Sequence, residues 1–286
     1  MFKIAILLTC HNRIEKTGIC LKTLTNGLKA KKIDTWHIYL VDDNSTDGTS
    51  DMVKQYYPEI ILIRGTGFLF WAGGMRLAWN TALKSNNEYD GFLLINDDVE
   101  FIDSFWDNIL YTRQWCKENF HKEGIYVLSV RDKDTNKYSY GGYQFRKRIF
   151  KHSPILINPT DQPQLCDTAN ANILYISSEV VEKIGIFDSR FTHALADFDY
   201  TLNANKNNIP VIICPEYGGC CTDDHKGERR LLNTLKKRIK YLYSIKGFAL
   251  NEYLYYLKKH FWWKAPYAFL ALWVETLFPY KDFKSK

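Results

Sequence analysis

Two adjacent carboxylates, Asp97 and Asp98, follow the apolar run 91–95 after one residue, Asn96. Such a pair is costly to hold beside apolar surface unless a cation or hydrogen-bond donors meet it. A hard divalent cation that also binds substrate phosphates is the usual solution. The alternative is a turn in which Asn96 and Asp97 only cap the residues that follow. The rest of the N-terminal half decides between these two interpretations.

Short β-rich apolar runs alternate with amphipathic stretches through the first hundred residues. The runs predict strands at residues 4–8, 36–41, 60–63 and 92–95. Helical spacing of apolar residues predicts helices around 19–28, 46–57 and 74–83, the second of them after Ser and Asp caps. This alternation favours a parallel, doubly wound sheet.

Polar residues follow three of these predicted strands. They are residues 9–13, 42–45 and 96–98. In doubly wound sheets ligands bind outside the carboxyl ends of the strands. The three groups are therefore expected to meet at one edge of the sheet.

Four motifs in this order resemble those of family-2 glycosyltransferases with the GT-A fold. Three are Leu-Leu-Thr-Cys-His-Asn-Arg at 7–13, Val-Asp-Asp-Asn-Ser-Thr-Asp-Gly-Thr at 41–49 and Asn-Asp-Asp-Val at 96–99. The fourth, formed by residues 169–174, 182–188 and 196–200, is similar to the acceptor-side block of that family. The resemblance covers residues 3 to 225. It implies an α/β fold, a GT-A (Rossmann-like) mixed sheet flanked by helices.

The resemblance implies an inverting transfer of a sugar from a nucleotide-diphosphate donor to a hydroxyl. Asp98, with Asp97 beside it, is expected to bind Mn²⁺ or Mg²⁺ that bridges both phosphates, which is Lewis-acid catalysis. Asn96 stands where many relatives carry the first Asp of this element. Asp42 is expected to hydrogen-bond the imide nitrogen of a uracil or thymine ring, which favours UDP- or dTDP-sugars.

Further residues of the same motifs are expected to line the nucleotide pocket. They are Thr9, Cys10, His11, Arg13 and Asn44. The glycine-rich stretch 65–76 precedes a helix, whose N-terminus favours an anion, although its spacing misses the dinucleotide fingerprint. Arg76 is expected to contact the donor, and the alternative is an exposed helix cation.

An inverting displacement needs a base for the acceptor hydroxyl, and the family's motif indicates Asp197. The first carboxylate of that motif is replaced by Ala196, and Asp199 is the nearest substitute. The alternative is that Asp197 and Asp199 cap a helix that begins near Phe198. His225 is expected to approach the metal or the diphosphate.

Zinc is the competing interpretation of His225, together with Cys220 and Cys221. Adjacent cysteines lack the usual Cys-x-x-Cys spacing, and the sequence has no second pair, so zinc is not expected. The seven cysteines form no framework and no secretory leader is expected, so a reducing cytoplasm is the simplest compartment.

Length and composition predict one catalytic domain, residues 1–225, and a helical C-terminal appendage, residues 226–286. The chain has 286 residues, 46% of them hydrophobic, and a net charge of +6. Cations cluster after residue 225 and alternate with aromatic residues, as in Lys236, Lys237, Arg238, Tyr241 and Tyr243. Such a tail could lie in a membrane interface, which implies a peripheral position on the inner face of the cell membrane. The alternative is a tail that packs on the domain or on a second subunit, as in a homodimer.

The tail is not expected to span a membrane, because Lys264, Pro266 and Glu275 interrupt its apolar residues. Nucleic acid is not an expected partner, because no recognised module is visible and the acidic edge would repel phosphates in the absence of a metal. The expected acceptor is a glycan or a lipid-linked intermediate of a bacterial cell-surface polysaccharide. A non-catalytic sugar-nucleotide-binding scaffold remains the alternative, because Asn96 and Ala196 depart from the family's pattern.

Overall fold

The computed structural model of the chain describes residues 2–30, 35–145, 154–222 and 234–278. The helices within these residues are α1 (Ile14–Ala30), α2 (Thr49–Tyr56), α3 (Phe70–Leu83), α4 (Phe105–Phe120), α5 (Ser178–Ile184), α6 (Ala196–Lys206), α7 (Leu235–Tyr243), α8 (Leu250–His260) and α9 (Ala265–Leu277). A single 3-10 turn, Trp262–Lys264, joins α8 to α9.

The strands of the described residues are β1 (Lys3–Cys10), β2 (Thr35–Asp42), β3 (Ile61–Arg64), β4 (Gly91–Ile95), β5 (Glu100–Phe101), β6 (Ile125–Asp132), β7 (Tyr138–Tyr140), β8 (Gly142–Phe145), β9 (Pro154–Leu156), β10 (Gln164–Leu165), β11 (Thr168–Ala169), β12 (Ile173–Ser177) and β13 (Val211–Cys221). A ten-stranded sheet has the order β10-β13-β6-β12-β4-β1-β2-β3, with β5 beside β13 and β7 beside β6. A smaller sheet has the order β11-β8-β9.

The central sheet is mixed, as the family resemblance implied, and not parallel throughout, as the strand-helix alternation alone favoured. Strand β1 pairs in parallel with β2 and β4, and β2 with β3. Strand β12 runs antiparallel to both of its neighbours, β4 and β6. The start of β12 therefore lies at the same edge of the sheet as the end of β4, which brings residues 170–172 to the edge that carries the acidic pair.

Apolar cores cover both faces of the sheet. Side chains of β1 alternate between them, as the period of two requires. Ile4 and Ile6 belong to the core that α1 and α4 cover, whereas Ala5 and Leu7 belong to the core on the side of α3 and α6. Because both faces of β1 are buried, its sequence is a continuous apolar run and not an alternating one.

The four predicted strands are confirmed, but two helix starts were wrong. Helix α2 begins at Thr49, and its N-cap is Gly48 with a φ of 90°, a conformation that glycine adopts without strain. Helix α3 begins at Phe70, four residues before the predicted start. The acceptor-side helix α6 begins at Ala196, two residues before Phe198.

Helix α8 is packed on the sheet domain and shares its core. Tyr256 and Leu257 are buried in the same core as α3 and α6. Asp199 of α6 accepts hydrogen bonds from His260 Nε2 at 2.7 Å and from Lys259 Nζ at 2.8 Å. The packing alternative therefore holds for α8, while the predicted domain boundary at 225/226 lies outside the described residues.

Among the residues that the structure describes, no helix is long and apolar enough to cross a membrane.

The packing of α8 predicts a large effect for Leu257→Ala. Leu257 is 3% exposed, so truncation to Ala leaves a cavity in the shared core and should lower the free energy of unfolding by about 2–5 kcal/mol. Urea denaturation measures the change. Lys258→Ala, at the neighbouring exposed position, is the matched control and should change stability by less than about 0.5 kcal/mol. Equal stability of the two variants would show that α8 does not share the core.

Candidate active site

The acidic pair is held at the end of β4 by one arginine from the start of α1. Arg13 Nη1 lies 3.3 Å from Asp97 Oδ1 and 3.0 Å from Asp98 Oδ2. The pKa of Asp97 is raised to about 7, chiefly because the carboxyl is buried; Arg13 lowers the pKa and Asp98 raises it. The strand end thus concentrates negative charge that a single guanidinium counters, so a further positive charge or hydrogen-bond donor would stabilise it.

Thr17 is a member of this site that the sequence interpretation missed. Its hydroxyl donates to Asp97 Oδ2 at 3.4 Å. Thr17 follows Arg13 by four residues, and its amide donates to the Arg13 carbonyl at 2.9 Å. Residues four apart lie on one face of a helix, and this spacing is the signal that could have identified Thr17.

Asn96 is engaged by an indole and does not point freely into the site. Its Oδ1 accepts a hydrogen bond from Trp71 Nε1 at 2.8 Å. Trp71 in turn packs on Phe187, with ring centroids 5.6 Å apart. Burying an amide oxygen costs less desolvation free energy than burying a carboxylate. Asn96, which stands in place of the first Asp, can therefore accept the hydrogen bond of the neutral indole at a lower cost.

The residues at the end of β4 fit a divalent cation. Within the described residues, Asp98 Oδ1 is buried and has no hydrogen-bond partner, although its other oxygen is paired with Arg13. Among the described residues, no group of three or more His, Cys, Asp or Glu side chains could hold a metal alone. Mg²⁺ commonly binds through one or two carboxylates together with substrate phosphates and water, and the Asp97–Asp98 pair offers that kind of partial ligand set.

Two other unpartnered buried oxygens lie at the same edge of the sheet. They are Thr9 Oγ1 at the end of β1 and Asn170 Oδ1 just before β12. A buried polar atom without a partner costs free energy in the free protein and is satisfied when a ligand or water binds. Three such oxygens at adjacent strand ends indicate a ligand site.

The end of β1 brings Thr9, Cys10 and His11 to this edge. Thr9 Oγ1 faces Gly74 of α3 so closely that a Cβ at that glycine would lie 2.2 Å from it. Burial raises the pKa of the Cys10 thiol, so Cys10 stays neutral. His11 Nδ1 is 2.7 Å from the carbonyl of Asp43, which fixes the ring at the strand end.

The end of β2 uses Asp42 and Asn44 in local contacts. Asp42 is buried, and its carboxylate accepts from the Ser45 amide at 2.8 Å and from the Ser50 hydroxyl. Asn44 has a φ of 62°, and its Oδ1 accepts from Arg64 Nη2 at 2.8 Å. Both side chains shape the turn after β2, and their predicted contact with a nucleotide stays a prediction.

The glycine-rich start of α3 already holds an anion from the chain itself. Asp43 accepts hydrogen bonds from the amides of Gly67 at 2.7 Å, Leu69 at 2.9 Å and Phe70 at 3.2 Å. The amides of Ala72 and Gly73 donate to the carbonyl of Thr192. The anion that this helix N-terminus favours is therefore the Asp43 carboxylate of the chain itself.

Arg76 is directed at the 188–191 segment. Its Nη1 donates to the carbonyl of Asp188 at 3.1 Å and to that of Phe191. Burial lowers the pKa of Arg76. The alternative of an exposed helix cation was wrong. Arg76 fixes the segment that leads into α6, and its contact with a donor stays a prediction.

Asp197 lies in the first turn of α6 and is linked to the end of β4 by two hydrogen bonds. Its Oδ2 accepts from the Ala171 amide at 3.1 Å, and the next residue, Asn172, accepts from the Asn96 amide at 3.0 Å. Burial raises the pKa of Asp197, and the amides of Phe198 and Ala171 lower it. One short segment, 170–172, therefore connects the acidic pair with the predicted base.

Asp199 cannot replace the missing carboxylate of that motif. Both of its oxygens are occupied by Lys259 and His260 of α8, so its expected role as a helper was wrong. Ala196 is fully buried in the core, where a carboxylate would need its own partner. His225, the predicted third contact, lies outside the described residues.

Four of the nine non-glycine residues with a positive φ among the described residues lie near this edge of the sheet. Asn12, Asn44, Phe70 and Leu195 have positive φ values of 51°, 62°, 53° and 67°. They lie in the loops after β1 and β2, at the start of α3 and just before α6. A left-handed conformation costs free energy in a residue with a side chain, and it costs least in Asn.

Residues 5–115 match the family model described as Glycosyl transferase family 2, which is less than half of the chain. This region resembles a family-2 glycosyltransferase domain. It contains the β1, β2 and β4 strand ends but not Asp197. The curated proteins include no match.

Solved structures of TarS from S. aureus are similar in fold. One matches at 16% identity and a TM-score of 0.50, over 91% of this chain and 44% of that chain. A second, TarS 1-349, matches at 14% identity and a TM-score of 0.51, over 96% of this chain and 79% of that chain. The chain thus spans under half the length of the first TarS structure. The likeness shows the mixed α/β fold of GT-A type that the sequence predicted.

The role of Asp43 predicts a loss of stability in Asp43→Ala. The change leaves three amides at the start of α3 without their acceptor and should lower the free energy of unfolding by about 1–3 kcal/mol. Urea denaturation measures it. Asp51→Ala, at an exposed position of α2, is the control and should stay within about 0.5 kcal/mol of the parent. A fully stable Asp43→Ala protein would contradict the assigned contact.

Proposed function

We propose that this protein is an inverting glycosyltransferase that moves a sugar from a nucleotide-diphosphate donor to a hydroxyl. The observation that carries the proposal is the buried, unpartnered Asp98 Oδ1 at the end of β4, linked through residues 170–172 to the Asp197 carboxylate. The family match over residues 5–115 supports the donor half of this site. The fold likeness to TarS supports the arrangement of the sheet on which the site is built.

The step requires a proton acceptor on the face opposite the leaving group. Asp197 takes the proton of the acceptor hydroxyl, the hydroxyl oxygen bonds to the anomeric carbon, and the bond from that carbon to the phosphate oxygen breaks. The nucleoside diphosphate leaves with the electron pair of that bond. Burial, which raises the pKa of Asp197, makes its carboxylate a stronger base for this purpose.

Asp98 and Asp97 are the residues that would hold a divalent cation, Mn²⁺ or Mg²⁺, and His225 is a further proposed contact. The cation, when bound, neutralises charge on the departing diphosphate. Arg13 already pairs with both carboxylates, so the same guanidinium lies within reach of a phosphate that approaches the pair. Arginine recognises phosphate oxygens through charge-assisted hydrogen bonds.

The nucleotide is proposed to lie across the ends of β1 and β2. The site residues there are Thr9, Cys10, His11, Asp42 and Asn44. A UDP- or dTDP-sugar is favoured because Asp42 offers an acceptor for the imide nitrogen of the ring. Asp42 also holds the turn after β2, so an alanine at this position would disturb the fold and the ligand contact together.

The acceptor is proposed to be a hydroxyl of a growing cell-surface glycan on a lipid-linked intermediate. This assignment places the enzyme in the cytoplasm, at the inner face of the cell membrane. It extends the resemblance described above, and the acceptor hydroxyl would meet the base at the edge beside Asp197.

A non-catalytic sugar-nucleotide-binding scaffold is the second candidate. Two contacts favour it. Asn96, in place of the first Asp of the acidic element, is bound to Trp71. Asp199 is bound to α8, which leaves Asp197 without a helper carboxylate. Donor chemistry distinguishes the two functions. An enzyme slowly releases nucleoside diphosphate from its donor even with water as the acceptor, whereas a scaffold binds the donor and leaves it intact.

A thermal-shift screen of UDP- and dTDP-sugars with Mn²⁺ tests donor binding. A ligand at 100 times its dissociation constant should stabilise the protein by about 2.7 kcal/mol. Stabilisation by a nucleotide sugar together with Mn²⁺, and by neither alone, supports the donor site. No stabilisation by any of these donors would contradict it.

Asp98→Ala is expected to reduce the Mn²⁺-dependent affinity for the nucleoside diphosphate and to reduce turnover with it. The physical reason is the loss of the unpartnered Oδ1 that the cation would use. Isothermal titration with and without Mn²⁺ measures the effect. Asp103→Ala, at an exposed position five residues later, is the control and should bind as the parent does. Unchanged metal dependence in a folded Asp98→Ala protein would disprove the assignment.

Asp197→Asn is expected to keep donor affinity while turnover falls by roughly 10²–10⁴-fold, because an amide cannot accept the hydroxyl proton. Donor affinity from titration and product formation from a steady-state assay measure the two quantities separately. Asp199→Asn serves as the comparison. It should lower thermal stability through the lost contact with α8, with turnover largely retained. If Asp197→Asn turns over normally, Asp197 is not the base.

A further inference from the structure

Helix α9 carries an apolar face that no other described part of the chain covers. Tyr267, Leu270, Val274 and Leu277 are 77%, 63%, 58% and 44% exposed. Their spacing of three and four residues places them in one stripe along the helix. A helix on the surface of a globular domain normally turns a polar face to water, so this stripe indicates a surface that contacts something apolar.

The opposite face of α9 is fixed to the rest of the protein. Ala265 and Thr276 are buried, and Arg238 of α7 donates to the carbonyl of Thr276 at 2.7 Å. Trp273 packs against Tyr243 of α7, with ring centroids 6.3 Å apart. The exposed stripe is therefore the outer face of a docked helix.

Aromatic side chains extend this stripe at both ends. Trp262 and Trp263, in the turn before α9, are 72% and 50% exposed, and Phe278 after it is 73% exposed. Trp and Tyr combine an apolar ring with a polar group and are enriched where a protein meets the polar headgroup region of a bilayer. These residues and the stripe of α9 together are named the α9 surface.

Positive charge lies beside the α9 surface. Residues 234–278 contain eight Lys or Arg and two Glu. Lys236, Lys237 and Lys240 of α7 are exposed, and the bond from Arg238 to Thr276 places α7 against the end of α9. A basic flank next to an apolar surface complements anionic lipid, in which apolar side chains enter the interface and lysines meet the headgroups.

We infer that the α9 surface binds the interface of an anionic lipid bilayer, with α7 lysines on the headgroups and α9 lying in the plane of the membrane. A second copy of the chain fits less well. A two-fold interface brings the same patch of each copy together. The basic flanks of the two α7 helices would then lie close to each other and repel. The inference uses no residue of the donor site, and it can hold whether or not the proposed glycosyl transfer is correct.

Co-sedimentation of the full chain with vesicles tests the inference. Vesicles of phosphatidylglycerol and phosphatidylcholine are compared with vesicles of phosphatidylcholine alone, without any nucleotide sugar. We expect binding to the anionic vesicles and at least about tenfold weaker binding to the neutral ones. Absence of binding to the anionic vesicles would overturn the inference.

Charge substitutions within the stripe test its location. Leu270→Glu with Val274→Glu should weaken binding to anionic vesicles by at least about tenfold, since a carboxylate opposes both burial and the anionic surface. Both positions are exposed, so the variant should keep the melting temperature of the parent. Leu165→Glu, at a 51% exposed position of β10, is the matched control and should bind as the parent does. Equal binding of the double variant and the parent would overturn the location.

Substitution of the α7 lysines and measurement of the protein's molar mass in solution complete the test. Lys236→Gln with Lys237→Gln and Lys240→Gln should weaken binding to anionic vesicles by at least about tenfold and leave binding to neutral vesicles unchanged. Light scattering reports self-association. A parent dimer that Leu270→Glu with Val274→Glu converts to a monomer would assign the α9 surface to a second copy and would overturn the inference.

Discussion

The pairing of Arg13 with Asp97 and Asp98 is the interaction on which the candidate site depends. It brings the start of α1 to the end of β4 and makes two adjacent carboxylates tolerable beside a buried strand. The pairing is incomplete, because Asp98 Oδ1 has no hydrogen-bond partner in the part of the chain that the structure describes. A buried oxygen without a partner costs free energy, so the binding of a cation or a hydrogen-bond donor at this point would be favourable.

The departures from the family's pattern have physical explanations in the surrounding contacts. Asn96 accepts from Trp71, a role in which a neutral amide avoids placing a third negative charge beside the acidic pair. Ala196 fills a buried position in the core. Asp199 anchors α8 through Lys259 and His260. The two aspartates in the first turn of α6 therefore have different partners. Asp197 contacts segment 170–172 beside the acidic pair, and Asp199 contacts α8.

The sequence predicted the strands and the edge of the sheet because apolar runs and the residues that end them are local signals. It could not show the contacts that Asp42 and Asp43 make within the chain, since the direction of each side chain depends on the turn after β2. Asp43 proved to hold the start of α3, a contact that spans 24 to 27 residues. The packing of Tyr256 and Leu257 was equally hidden, because an aromatic helix has the same composition whether it meets a core or a bilayer.

The central claim is that the edge carrying Asp98 and Asp197 breaks the bond between a sugar and a nucleoside diphosphate. ³¹P NMR of the protein with Mg²⁺, a UDP- or dTDP-sugar and water as the acceptor follows both phosphates of the donor over time. The account predicts that the donor signals decay slowly while those of free nucleoside diphosphate grow, and that chelation of the cation stops the change. Donors that bind, as judged by their broadened signals, but stay intact throughout would contradict it.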